Sequence, residues 1–354
     1  VKKIPLSALL SLIILSIISI LSLSMLGQHF YFVKRQIIYI ILGFAILFSF
    51  LYFDFRVLKY FASSIYILGI ILLLAAIIFG KEVYGAQRWI KLGSFITIQP
   101  SEFMKPFLII FFAYIIQLQV SHIKKFIYLL IGLSIPFVII FKQPDLGTDI
   151  VLAAIFLFIV LFFFPIKYLF SVLFSLILST PVAVKFLKPY QIERIKVFLN
   201  PYRDPMGAGY NVIQSIIAIG SGGLLGKGIR NSTFTKLHFV PVQYADFIFS
   251  AIGEALGFIG VLILLTAYTI LLLFIVKTYN STENQFGKAI VIGVFALFIT
   301  QIFVNIGMCI GIMPVTGIPL PFVSFGGSAM LANFISIGLV INVYIYREEI
   351  NISL

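Results

Sequence analysis

Charge is what this chain has least of. Only 10% of its 354 residues are Asp, Glu, Lys or Arg, while 61% are hydrophobic and the mean hydropathy is +1.15. So few charges cannot cover the surface of a soluble domain of this size, which leaves lipid as the solvent. Strands of alternating polarity are also scarce, and continuous apolar runs exclude a transmembrane barrel. One cysteine, Cys309, excludes an intramolecular disulfide. Three scattered histidines, His29, His122 and His238, offer no metal cluster. No soluble nucleotide-binding domain stands out, which argues against ATP-driven transport by this chain alone, and nothing points to nucleic acid as a partner.

What is present is a series of apolar runs of membrane-crossing length. Windows near 6–26, 36–53, 60–80, 100–118, 126–142, 147–164, 167–186, 247–276, 289–312 and 327–346 predict about ten transmembrane helices. The expected fold is an all-α polytopic membrane protein, with residues 1–354 as a single integral membrane domain. Residues 187–246 form a polar connection, expected as a long extracytoplasmic loop between spans seven and eight. The run after Lys2 and Lys3 is too long for a signal-peptide core and reads as an uncleaved anchor. Lys and Arg in the short loops number ten on the N-terminal side and six on the other. Both termini are therefore expected in the cytoplasm. The net charge of +13 divides between that inner rim and a basic outer face.

A charged side chain at mid-span costs about 2.5–3.5 kcal/mol, so it needs a partner, a wet cavity or a task. Five motifs hold such residues. In WIKLGSFITIQPSEFMKPF, Pro100 suits an early helical position, and Glu102 and Lys105 then share a face at i, i+3. They read equally as an ion pair or as substrate-facing groups. In KQPDLGTD, capping is the preferred role for Asp149, while Asp145 reads equally as a cap or a substrate-facing acid.

The third motif lies in the long segment and ends GSGGLLGKG. Its glycines permit positive φ and, with Lys227, an anion nest for a phosphate-bearing lipid-anchored substrate. A loop against lipid head groups is the simpler alternative. It is not a Walker loop, because Ser221 and Gly228 stand where Gly and Ser or Thr are required. MPVTGIPLPFVSFGGS has too many prolines and glycines for a regular helix, so it lines a cavity or forms an outer loop. In QYADFIFSAIGEALGFIG, Asp246 stands at the threshold of span eight, where capping is its simplest role. Glu254 lies two turns deeper, beside a Gly253/Gly257 small-residue packing face.

These five motifs, in this order, resemble the RodA/FtsW family of SEDS proteins across essentially the whole chain, and its RodA branch more than its division branch. The resemblance implies a peptidoglycan glycosyltransferase polymerising lipid II at the outer face of the bacterial cytoplasmic membrane, for cell elongation and shape. It implies Asp246 as the catalytic residue, acting as general base. Substrate-binding roles fall to Glu102, Lys105 and Asp145, and to Arg194, Lys196 and Lys227 facing the pyrophosphate. Gln214, Ser215, Ser221, Gly222 and Gly223 of the third motif and Ser324 of the fourth complete the set. The expected partners are a class B penicillin-binding protein, which is a transpeptidase, and other membrane proteins of the elongation machinery. A divalent cation, Mg or Mn, is implied by the resemblance alone, with no organic cofactor. Ala245 and Ala255 depart from the family, which often has Thr and Glu there. The competing readings are a lipid II flippase and a non-catalytic scaffold for the transpeptidase.

Overall fold

The computed structural model describes residues 5–25, 29–83, 86–92, 96–185, 189–207, 209–228, 231–232 and 244–347. Lys2, Lys3, Lys188, Arg230, Lys236, His238 and Gln243 lie outside them. In lipid every backbone N–H and C=O must find a partner within the chain, so long apolar runs resolve into helices. These are α1 Leu6–Ser24, α2 His29–Ser49, α3 Leu58–Phe79, α4 Pro100–Gln117, α5 His122–Lys142, α6 Leu146–Phe163 and α7 Ile166–Lys185. After the long polar segment come α10 Ile248–Ser281, α11 Gln285–Cys309 and α12 Gly327–Tyr346.

Eight of the described helices are long and apolar enough to cross a membrane. α4 and α7, of 18 and 20 residues, have the length as well. At 1.5 Å per residue, 18 residues reach about 27 Å, close to the hydrocarbon thickness. Over their most apolar 18 residues α11 and α12 are 72% and 78% buried, against 22% for α2 and α5, so the first pair forms the centre and the second faces outward. α11 packs on α4, α6, α10 and α12, which brings most of the motif-bearing helices to one axis.

Two regions differ from the sequence reading. The connection between α3 and α4 is a three-stranded antiparallel sheet, β1 Lys81–Val83, β2 Ala86–Leu92 and β3 Ile96–Ile98. Strands of three to seven residues are shorter than any window chosen to find membrane spans, so this sheet leaves no trace in the hydropathy. The long segment is not a simple loop either. It holds α8 Pro189–Leu199, a 3-10 turn at Pro201–Arg203 and α9 Tyr210–Ser221. α9 buries one face: Val212, Ser215 and Ala218 lie inside, whereas Ile216 and Ile217 are exposed.

Candidate active site

Asp246 sits in the turn that leads into α10. The turn does not use its carboxylate as a cap, because Phe247 occupies the N-cap of α10 and no side chain caps that end. The capping role expected as the simplest one is therefore absent. Three successive carbonyls of the turn are tied to other parts of the chain. The Phe325 N–H donates to Tyr244 O (2.8 Å), Ser324 Oγ donates to Ala245 O (2.5 Å), and Asn305 Nδ2 donates to Asp246 O (2.9 Å). Gly317, at φ +78°, faces the carboxylate; a Cβ there would lie 3.5 Å from Asp246 Oδ2.

The surroundings raise the Asp246 pKa from the ordinary carboxylate value to about 6. Burial is the largest cause, since it penalises the charged form. The positive charges of Arg194 and Arg88 pull the value down, and the negative charge of Asp145 pushes it up.

Asp145 is the hub of the neighbouring group. It occupies the N-cap of α6 and accepts from the Thr148 N–H, while Thr148 Oγ1 donates to Oδ2 at 3.0 Å. Gln99 Nε2 and Ser101 Oγ each lie 3.3 Å from the same oxygen, and Arg88 stands 3.7 Å from Oδ1. Arg88 also donates to the carbonyls of Gln143 (2.7 Å) and Pro144, so it clamps the turn before α6. The cap role thus fits Asp145, and its oxygens are shared among these partners. Asp149 is not the cap that the sequence suggested, because Asp145 already holds that position. Asp149 lies inside the first turn of α6, buried, and neither carboxylate oxygen has a hydrogen-bond partner among the described residues.

Glu102 and Lys105 form the i, i+3 pair expected from their spacing, at 2.6 Å, and both are nearly sealed from solvent. Pro100 stands in the first turn of α4, and Pro106 lies within the helix. The Gln99 N–H donates to Ser328 Oγ at the start of α12, which joins the first motif to the fourth.

The glycine-rich stretch is where the sequence reading needs correcting. α10 breaks at Gly257, whose φ of 62° and ψ of −162° are not helical. A broken helix leaves carbonyls above the break and N–H groups below it without helical partners. The third motif supplies them. The N–H groups of Lys227 and Gly228 donate to the carbonyls of Glu254 and Ala255, both at 3.0 Å. In return the Phe258 and Ile259 N–H groups donate to the carbonyls of Gly223 and Leu224 at 2.9 and 3.2 Å. Of the amides proposed as an anion nest, those of Lys227 and Gly228 are therefore spent on the helix break, and that of Gly226 on the Gly222 carbonyl. Lys227 is not simply a phosphate ligand: its Nζ lies 3.5 Å from the fully buried Glu254 and 2.8 Å from Ser221 Oγ.

The remaining candidates divide similarly. Ser215 is buried and donates to Cys309 O at 2.8 Å, which anchors α9 to α11 rather than facing a ligand. Gly222 is buried, with no room for a Cβ beside Gly253 O, and its role is close packing. Ser324 is also buried; its Oγ accepts from the Leu320 N–H as well as donating to Ala245 O, so it shapes the site instead of binding substrate. Gln214 is half-buried on α9. Lys196 is exposed and stands 4.0 Å from Glu193. Arg194 lines a cavity of about 330 Å³ formed by α8, α9 and residues 311–315.

Asn305, Arg88, Gln99 and Ser101 were missed by the sequence reading. Asn305 could have been found as an amide deep in an apolar run, and Arg88 as a cation next to the only tryptophan. Among the described residues no three His, Cys, Asp or Glu side chains gather to hold a metal ion.

A family model described as FtsW/RodA/SpoVE, cell cycle protein, matches residues 3–349. The peptidoglycan glycosyltransferase MrdB of Escherichia coli K12 is 38% identical over 350 residues, which cover 98% of this chain and 94% of MrdB. The stage V sporulation protein E of Bacillus subtilis is 33% identical over 328 residues, covering 91% and 89%. A chain from a peptidoglycan synthase complex that coordinates polymerisation and crosslinking superposes with a TM-score of 0.84 at 29% identity, covering 98% and 99%. The rod shape determining protein RodA of Thermus thermophilus shares the fold, with a TM-score of 0.74 at 23% identity over 98% of each chain.

Proposed function

The chain belongs to the FtsW/RodA/SpoVE family of integral membrane peptidoglycan glycosyltransferases, and we propose that it polymerises lipid II with Asp246 as general base. The observation that carries this reading is the Asp246 turn. It holds by its backbone a carboxylate that is not spent on capping, next to a side-chain-free residue, Gly317. A sugar hydroxyl is a weak nucleophile at neutral pH, and a positioned base contributes about 10²–10⁴-fold to such a transfer. A carboxyl with a pKa near 6 is about ten-to-one deprotonated at pH 7, yet more basic than an ordinary aspartate.

In the proposed step, Asp246 takes the proton of the acceptor hydroxyl as its oxygen bonds to the anomeric carbon of the donor. The bond from that carbon to the pyrophosphate oxygen breaks, and the polyprenyl pyrophosphate leaves with the electron pair. Arg194 and Arg88 are the cations whose fields reach Asp246, and they are the sequence's best-placed groups to meet the leaving charge. Mg²⁺ or Mn²⁺ would need to arrive with the pyrophosphate, because hard cations of this kind use few protein ligands beside substrate phosphates.

In this reading α4 and α7 complete ten spans, with both termini cytoplasmic and the site facing outward. The partner is a class B penicillin-binding protein within the elongation machinery, a reading supported by the likeness to one chain of a peptidoglycan synthase complex. A helix broken at Gly257 also suits a translocation path, so the test must separate transport from polymerisation. Purified chain, in detergent and in liposomes, is given lipid II with and without the transpeptidase. Glycan polymer is expected in both formats. Lipid II crossing the bilayer without polymer would replace this reading with a flippase.

A further inference from the structure

Nothing on α10 fixes the direction of the Asp246 side chain, since that helix start has no side-chain cap. Its placement depends on the turn at 244–247, and the turn depends on the ties to its carbonyls. One of these comes from the last turns of a span. Asn305, on α11, is fully buried, and its single amide group donates twice: to Asp246 O at 2.9 Å and to Ile318 O at 2.7 Å. Ile318 follows Gly317, whose backbone forms the wall opposite the carboxylate. The amide therefore joins the segment that carries the acid to the segment that leaves space beside it.

A fully buried amide is costly, and leucine would pack more cheaply if spanning were the only requirement. Both N–H groups of Asn305 are used, whereas Oδ1 has no hydrogen-bond partner among the described residues. The side chain is kept for its donors.

We propose that Asn305 is the positioning residue for Asp246, setting the distance and direction of its carboxylate to the acceptor hydroxyl by stapling the 244–247 turn to the 317–318 wall. This inference rests on Asp246 being the base. The charged and titratable groups around that carboxylate are Arg194 on α8, Asp145 at the start of α6, Arg88 on β2 and Cys309 on α11. Residues 311–326 add none. Loss of the staple lets the carboxylate swing toward water. Burial is the main reason its pKa is raised, so the pKa then falls toward the ordinary carboxylate value.

The experiment compares parent, Asn305→Leu and Asp246→Asn as full-length chains with the transpeptidase present. The rate of lipid II polymerisation is followed against substrate concentration and pH. Asn305→Leu is expected to lower kcat by about 10- to 100-fold, as misplacement by about 1 Å does, with KM changed much less. Its acid limb is expected to move below that of the parent. An unchanged kcat overturns the inference. A lower kcat with the acid limb unmoved also overturns it, and leaves Asn305 a packing residue. If Asn305→Leu does not fold, Asn305→Ser, which keeps one donor, carries the same comparison and the same two contrary results. Parental activity in Asp246→Asn would remove the base assignment itself. An inactive Asp246→Asn beside an unaffected Asn305→Leu would remove only the role of Asn305.

Discussion

Replacing Gly257 by alanine tests whether the break in α10 and the glycine-rich stretch form one unit. Gly257 has φ 62° and ψ −162°, a region close to the one populated almost only by glycine, where other residues cost about 1–3 kcal/mol. A methyl group there would also sit 2.3 Å from the Gly226 nitrogen and 2.8 Å from Leu224 O, both backbone atoms that cannot rotate away. Relief of the clash must part the two segments and weaken their reciprocal hydrogen bonds. Each is worth about 0.5–1.5 kcal/mol net in water, and more where no water replaces it. Loss of two bonds with the backbone strain gives about 2–6 kcal/mol. Gly253→Ala is the control: its nearest neighbours at 3.1–3.3 Å are atoms of Ile219, and its backbone is helical, so a small effect is expected. The assay is thermal unfolding of the purified protein in detergent. Gly257→Ala should melt many degrees below both the parent and Gly253→Ala. Equal midpoints for Gly257→Ala and the parent would refute the idea that this break is held by the 222–228 stretch.

Further outcomes follow from the buried charges. Lys105→Met strands Glu102 without its 2.6 Å partner in a nearly sealed site, and breaking such a pair costs about 3–5 kcal/mol. Lys105→Met combined with Glu102→Gln should recover much of that stability, as read by the same melt; no recovery would argue against a coupled pair. Lys227→Met should also destabilise, because it removes the cation beside the fully buried Glu254, although the 29% exposure of Lys227 lets water screen part of the loss; a melt equal to the parent's would argue against that pairing. Asp246 must be deprotonated to accept a proton, so polymerisation should be full at neutral pH and fall as pH drops through about 6. A limb near pH 4 in a pH–rate profile would mean that burial does not raise this carboxyl.

Much of the architecture was legible because lipid leaves the backbone little choice. The window at 327–346 coincides with α12, and Leu6, where the first window begins, starts α1. The Glu102–Lys105 pair was legible for a related reason: spacing along one helix fixes which side chains meet. Contacts between distant loops were not. The tie from Asn305 to Asp246 spans 59 positions, and no local pattern in a single sequence encodes it. Gly257 was read only in part: Gly253 and Gly257 do pack closely, against Ile219 and the 224–226 stretch, as small residues at i, i+4 signal. Gly257 also supplies a backbone angle that ends one half-helix and starts another. The anion nest was legible only in part: glycine-rich turns do expose amides, but those of Lys227 and Gly228 are taken by carbonyls that the break frees.

The central claim is that one carboxylate takes the acceptor proton. Asp246→Asn keeps the shape and the backbone ties of the turn while removing the basic oxygen. The decisive measurement is its rate of glycan formation from lipid II, made on protein that melts and binds the transpeptidase like the parent. The account predicts that polymer disappears. Polymer formed at the parental rate would contradict it.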